Sequence, residues 1–147
     1  MGVVRHQVVV DAPRERVFDY VDGYQNVPEY LIGVTHFDPT TDQTRGLGSV
    51  FDVRVDLGPK KIKAVVECTR YVENELIELR AIDGFEADTT WRFADDGNGT
   101  DLQLEINYTL PGGIAGRVLG GIIGPFAAQA VRHIEATIAK KVVARGG

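Results

Sequence analysis

The chain has 147 residues, 44% of them hydrophobic and 25% charged, which fits one globular domain with a substantial core. Its net charge of −5 argues against nucleic acid as the main partner, because phosphate binding depends on clustered Lys and Arg. The single cysteine, Cys68, excludes an internal disulfide. There is no signal-like opening and no apolar run of the ~20 residues that a membrane span needs. We therefore expect a cytoplasmic protein without stable membrane insertion.

The first predicted elements are a strand and two short helices. Residues 3–10 are rich in valine and predict a strand. Pro13 suits the first position of a helix, with Asp11 as the candidate cap, and Gly23 breaks that helix. A second short helix is expected at about residues 27–31.

Most of the middle of the chain is predicted to form strands. Apolar and polar residues alternate there between turn signals, the pattern of an antiparallel meander with one apolar face. Asp83-Gly84 predicts a hairpin turn. The predicted strands are residues 48–57, 61–71, 75–82, 85–93 and 102–110. A long final helix has to cover their apolar face.

That final helix is predicted for residues 112–145, and its first half is rich in glycine. Gly116, Gly120 and Gly124 recur at i, i+4 and i+8, so they share a face. Each costs about 0.5–1 kcal/mol relative to alanine in a helix interior. They are explained by a cavity wall, which we favour, by close packing on the sheet or another helix, or by a mobile gate. Pro125 either kinks the helix or begins a second helical segment.

Four short motifs follow one another in an order that is typical of one superfamily. They are VVVDAPRERVF at residues 8–18, NVPEY at 26–30, GLG at 46–48 and GTDL at 99–102. With these motifs and this order of elements, the chain resembles the START-like superfamily (SRPBCC, the helix-grip fold), in particular its polyketide cyclase/dehydrase and lipid-transport group. The resemblance covers nearly the whole chain.

The resemblance implies an α+β, helix-grip fold as a single domain over residues 1–147. A curved antiparallel sheet of about seven strands, in the order β-α-α-β-run-α, would wrap around the long C-terminal helix. It also implies a cavity between the sheet and that helix. Members of the superfamily include lipid carriers, hormone receptors and aromatic cyclases, so the fold alone does not define the function.

The strand face that is predicted to point inward carries no Asp, Glu, Lys or Arg. Its polar groups are the hydroxyls of Thr89 and Tyr108 and the indole N–H of Trp91, which suits an apolar ligand held by a few polar contacts. A fully packed core without a ligand is the alternative. The candidate ligand-binding residues are Tyr30, Phe51, Val53, Ile77, Thr89, Trp91, Ile106, Tyr108, Gly116 and Gly120.

We therefore predict that the chain binds or transports a hydrophobic small molecule or lipid. The alternative is an aromatic or polyketide cyclase or dehydratase acting in the same cavity, with His36, Tyr30 and Tyr108 as candidates for handling protons. A third possibility is an interaction module that acts on another macromolecule. No cofactor is predicted, and no metal site, since no convergent ligands accompany His36 and Asp38. The ligand and the oligomeric state are left undefined.

Overall fold

The computed structural model describes residues 2–143, and the elements below lie within that range. The strands are β1 (Gly2–Val10), β2 (Val34–Pro39), β3 (Val50–Asp56), β4 (Lys61–Val72), β5 (Leu76–Gly84), β6 (Glu86–Asp96) and β7 (Gly99–Thr109). The helices are α1 (Arg14–Asp22), α2 (Val27–Tyr30) and α3 (Gly113–Ile138), with a 3₁₀ turn at Tyr24–Asn26. Residues 144 and 145 of the predicted final helix lie outside the described residues.

The strands form one antiparallel sheet in the order β1-β7-β6-β5-β4-β3-β2. β1 pairs with β7 from Gly2 opposite Tyr108 to Val10 opposite Thr100, so the first strand of the chain lies beside the last. The sheet curls into a half-barrel, and the long C-terminal helix completes the fold. The predicted helix-grip arrangement is therefore confirmed.

α1 packs on one end of the sheet through the face that the sequence predicts. Val17, Phe18 and Val21 are buried, following helical spacing. The ring of Phe18 meets Phe93 and Tyr71 edge-on, with centroid distances of 5.0 and 5.6 Å. Edge-to-face pairs of this kind contribute about 0.5–1.5 kcal/mol beyond their buried area. They fix α1 over the β4 and β6 side of the sheet.

The beginning of α1 differs from the prediction in detail. Pro13 is the N-cap residue rather than the first helical residue, because its ψ of 148° keeps it extended. Its carbonyl accepts hydrogen bonds from the backbone N–H groups of Arg16 and Val17 at 3.0 and 3.1 Å. No side chain caps the helix, so the prediction of Asp11 as its cap is wrong.

The chain reversal after β5 also differs from a simple hairpin. β5 continues through Gly84 and pairs there with β4, while its pairing with β6 covers only Leu76 to Leu79. The backbone N–H of Phe85 donates to the carbonyl of Lys63 at 2.9 Å, which holds the turn on β4. Gly84 has a φ of +78°, and an added Cβ would collide with that same carbonyl. β5 and β6 therefore stop pairing beyond Leu79, and Phe85 connects the two strands along the chain.

α3 is one continuous helix that contains Pro125, so the alternative of a second helical segment beginning there is wrong. It continues into a π-helical turn, Ala139–Val143. Length and composition alone would let this helix span a membrane, with a mean hydropathy of 1.4 over its best window. Only 11% of that window is buried, but the helix is the core helix of this fold, and towards its end Ile134, Ile138 and Val142 are 2%, 0% and 0% exposed. Its hydropathy is therefore no evidence for a membrane span.

Candidate functional site: an apolar cavity under α3

A cavity of about 260 Å³ lies between the concave face of the sheet and α3. The sheet contributes mainly apolar side chains, which are Val4, Phe51, Val53, Val55, Ile62, Val66, Ile77, Leu79, Ala87, Trp91, Leu104 and Ile106. The α1–α2 region closes one end with Val21, Val27, Tyr30, Leu31 and Ile32. A largely apolar space of this kind suits a hydrophobic molecule.

The inward strand positions predicted from alternation lie on this wall. The candidate residues that line the cavity are Tyr30, Phe51, Val53, Ile77, Thr89, Trp91, Ile106 and Tyr108. They come from α2 and from four different strands, so the curl of the sheet brings them together. Whether they contact a ligand stays a prediction.

The two glycines that were predicted for the wall lie elsewhere. An added Cβ on Gly116 would collide with the carbonyl oxygen of Pro111, and one on Gly120 would lie 3.1 Å from Cδ1 of Leu110. The prediction that Gly116 and Gly120 line the cavity is therefore corrected. The glycines let the backbone of α3 approach the preceding linker, which contains Leu110 and Pro111. This is close packing, but against the linker rather than against the sheet or another helix.

The roof of the cavity is formed by the middle of α3 instead. Its lining residues are Ile123, Phe126, Ala127, Ala130, Val131 and Ile134, which share one helical face. Near them Gly33, at a φ of +90°, lies so close to Phe126 that an added Cβ would come within 2.5 Å of its Cζ atom. The segment after α2 therefore packs directly on the helical roof.

Three polar groups on the wall are available to a ligand. Among residues 2–143, the hydroxyls of Thr89 and Tyr108 and the indole N–H of Trp91 make no hydrogen bond with the protein. The hydroxyl of Tyr30 differs, because it donates to the carbonyl of Val21 at 2.7 Å. Burial raises the pKa of Tyr30. Tyr30 therefore serves the packing of α2 on α1 and has no free hydroxyl for proton transfer.

His36 lies outside the cavity. It is exposed on β2, and its Nδ1 atom lies 3.0 Å from Oγ1 of Thr35. A group in this position does not reach a molecule in the cavity, so His36 is removed as a candidate for proton transfer there. Within the described residues, no group of three or more His, Cys, Asp or Glu side chains is placed to hold a metal ion.

One end of the cavity carries charged residues that sequence analysis missed. Asp22, at the last position of α1, and Arg45, in the loop before β3, both line the wall. The hydroxyl of Tyr71 donates to Oδ2 of Asp22 at 2.8 Å, and Nε of Arg45 lies 3.6 Å from the same oxygen. The side chain of Asp22 is only 7% exposed. We call Asp22, Arg45 and Tyr71 the polar end.

Burial dominates the electrostatics of this end. It raises the pKa of Asp22, against the opposing effects of the Tyr71 hydrogen bond and the positive charge of Arg45. The neighbouring thiol of Cys68, which also lines the wall, has its pKa raised to about 11, mainly by burial and then by the charge of Asp22. Cys68 is thus a protonated, unreactive thiol at neutral pH.

Comparison with known proteins agrees with this architecture. The family model for polyketide cyclase / dehydrase and lipid transport matches residues 1–144, and the chain belongs to this family. No curated protein matches the sequence significantly.

Three solved structures illustrate the shared fold. TTHA0849 from Thermus thermophilus is 21% identical, with a TM-score of 0.82 over 99% of this chain and 100% of that one. The Zhui aromatase/cyclase from Streptomyces sp. R1128 is 16% identical, with a TM-score of 0.77 over 99% and 98%. A START superfamily protein from Mycobacterium smegmatis is 16% identical, with a TM-score of 0.71 over 97% and 98%. At these identities the likeness establishes the fold alone.

Proposed function

We propose that this protein binds or transports a hydrophobic small molecule or lipid in the cavity under α3. The observation that carries the proposal is an apolar wall on which Thr89, Trp91 and Tyr108 keep their polar groups free of protein partners. Ligand sites commonly combine an apolar enclosure with a few polar groups that orient the molecule. A packed core would leave neither the space nor the unpaired groups.

The cavity has roughly the size of a small-molecule site. Its volume of about 260 Å³ lies close to the range of ~300–1,000 Å³ that ligand pockets occupy. The size therefore agrees with a small apolar molecule or with the chain of a longer one.

A cyclase or dehydratase that acts in the same cavity is the second candidate, and Asp22 favours it. General acid–base catalysis needs a titratable group beside the substrate, and sequence analysis had found no carboxyl on the strand face. Asp22 supplies one from α1, with a pKa raised by burial. The aromatase/cyclase among the solved structures shares the fold within which such a reaction would occur.

We also infer the setting in which the protein works. Its net charge of −5 and the single, buried thiol of Cys68 suit a cytoplasmic protein whose partner is a small molecule. Nucleic acid and stable membrane insertion are not part of the proposal.

Filling the cavity tests binding directly. Ala127 lines the roof, whereas the next residue, Ala128, is exposed and does not. Ala127→Phe is expected to reduce the amount of co-purified apolar ligand, measured by native mass spectrometry, at least tenfold, while Ala128→Phe leaves it unchanged. Equal ligand content in the two variants, with both folded by circular dichroism, would contradict the proposal.

The enzyme candidate requires a different measurement. If the co-purified molecule is converted to a product by the purified protein, Asp22→Asn and Tyr108→Phe should show which group handles the proton. Loss of conversion with the ligand still bound would favour the enzyme. Conversion that is unchanged in both variants would show that neither group handles the proton, and a wild-type protein that converts nothing would leave the binding protein as the conclusion.

A further inference from the structure

We propose that the polar end receives the head group of the ligand as an uncharged hydroxyl, so that the ligand is an apolar alcohol or phenol rather than a carboxylic acid or an amine. This inference rests on the proposed function and names the class of ligand. It follows from how the charges at the polar end are already paired, and from which hydrogen-bonding positions remain.

The carboxylate at the polar end disfavours an anionic head group. Asp22 is 7% exposed and lines the cavity, so a ligand carboxylate placed there would face a like charge with little water between them. Asp19 and Glu73 add negative charge to the same surroundings. The positive charge of Arg45 does not compensate for this, because it is already balanced by Asp19 at 3.8 Å and Asp22 at 3.6 Å.

The guanidinium of Arg45 disfavours a cationic head group in the same way. An ammonium close enough to bind Asp22 would also lie close to Arg45, whose Nε is 3.6 Å from the same carboxylate. The hydroxyl of Tyr71 already occupies one hydrogen-bonding position of Asp22, which leaves less of the carboxylate for a second cation. Asp22 therefore disfavours an anionic head group, and Arg45 disfavours a cationic one.

A neutral hydroxyl fits both residues at once. Its O–H can donate to the carboxylate of Asp22, and its oxygen can accept from Arg45. The contacts of Arg45 with Asp19 and Asp22 are longer than a hydrogen bond, so its N–H groups keep their capacity to donate. The other polar side chain there, Ser49, is satisfied by donating to the carbonyl of Gly46 at 2.7 Å.

An acid has other places to bind. Thr89, Trp91 and Tyr108 carry free donors on the wall, and Lys63, which is exposed on β4, contributes to the lining at the opposite end of the cavity, five residues along the strand from Cys68. At the rise of a β-strand, that spacing separates the two ends by about 16 Å. A test must therefore distinguish an acid that is excluded from one that binds in the reverse direction.

The test compares ligands that share one chain but differ in the head group. 1-Decanol, decanoate and decylammonium are competed at neutral pH against the fluorescent, uncharged probe N-phenyl-1-naphthylamine bound to the full-length protein. We expect decanol to bind at least tenfold more tightly than either ion. Decanoate or decylammonium binding as tightly as decanol would overturn the inference. Failure of all three and of the probe to bind would overturn the proposed function itself.

Two matched variants locate the effect. Asp22→Asn keeps the size and removes the charge, so the preference for decanol over decanoate should fall about tenfold. Asp19→Asn removes a carboxylate that pairs with the same Arg45 but is 76% exposed and outside the cavity lining, so the preference should stay within about threefold of the wild type.

Two outcomes would assign the head group to another place. A preference that is unchanged in Asp22→Asn, with a native circular dichroism spectrum, would show that the head group lies elsewhere. If Lys63→Gln abolishes the binding of decanoate, the head group of decanoate lies at the opposite end of the cavity. Either result overturns the inference while leaving a cavity that binds apolar molecules.

Discussion

The two halves of α3 differ in what they contact. Before Pro125, Gly116 and Leu119 are buried, yet Ile114 and Val118 are 79% and 45% exposed. From Ile123 onwards the helix lines the cavity, and after Pro125 it also buries Ile134, Ile138 and Val142 among the core residues. The first half is held by the approach of its backbone to the preceding linker, and the second half by the burial of branched side chains.

This difference bears on how a row of small residues in a helix should be interpreted. Glycine removes a side chain, which either leaves a space or lets another part of the chain come close. In α3, the oxygen of Pro111 takes the place where a side chain of Gly116 would lie, whereas nothing lies within 4 Å of an added Cβ on Gly121 or Gly124. The same residue type therefore has two different roles on one helix.

The largest expected effect compares burial in the two halves. Ile138→Ala removes a side chain that is 0% exposed and should lower the free energy of unfolding by about 3 kcal/mol. Ile114→Ala changes the same residue type at 79% exposure and should alter it by less than about 0.5 kcal/mol. Urea denaturation followed by circular dichroism measures both. Similar losses would mean that the first half is covered in solution.

A smaller effect should distinguish the two kinds of glycine. Gly116→Ala forces a methyl group onto the oxygen of Pro111 and should cost about 2 kcal/mol despite the better helix propensity of alanine. Gly121→Ala adds the same methyl group to an exposed position without neighbours and should stabilise the protein by about 0.5–1 kcal/mol. If both substitutions stabilise, close packing does not explain Gly116.

Much of the sheet side of the site follows from the sequence. Alternation along β6 predicts that Thr89 and Trp91 point inward, and the pairing of Thr89 with Ile106 and of Trp91 with Leu104 places the inward residues of β7 beside them. These positions are predictable because a strand has only two faces. A residue assigned to the apolar face of a curled sheet must therefore face the helix that covers it.

The polar end does not follow from the sequence in this way. Asp22 is the last residue of α1 and Arg45 lies in a loop, so neither belongs to a repeating pattern that indicates its direction. They meet because the edge contacts of Phe18 fix α1 at the end of the sheet, where Tyr71 reaches Asp22. The glycines show a related limit, since the spacing on a helix identifies a shared face but not what lies against it.

His133 provides a third test of the comparison between the two halves of α3, because it connects the second half to α2. Its Nε2 atom lies 2.7 Å from the carbonyl oxygen of Glu29, which can only accept, so the ring N–H donates. His133→Ala should cost about 1 kcal/mol of stability, the net value of such a hydrogen bond. Arg132→Ala, at the exposed neighbouring position, controls for the removal of a side chain from the helix without the loss of this hydrogen bond. Equal effects in urea denaturation would mean that the bond contributes nothing.

The smallest expected effect lies at the polar end, where the cavity under the second half of α3 terminates. Burial raises the pKa of Asp22 in the folded protein above its ordinary value of 3.8. The folded state therefore takes up this proton at a higher pH than the unfolded state, and the contribution of Asp22 to stability decreases as the pH rises above about 4.

The amide that Asp22→Asn introduces is uncharged in both states, so the stability of this variant relative to the wild type should increase as the pH is raised from about 4 to neutrality. Thermal denaturation of the two proteins across that range measures the difference. A stability of Asp22→Asn relative to the wild type that falls with rising pH would show that the hydrogen bond from Tyr71 and the charge of Arg45 outweigh the cost of burial. In that case Asp22 would be a structural ion-pair partner that stays ionised across this range, and its place as a proton donor in the cyclase or dehydratase candidate would lose its support.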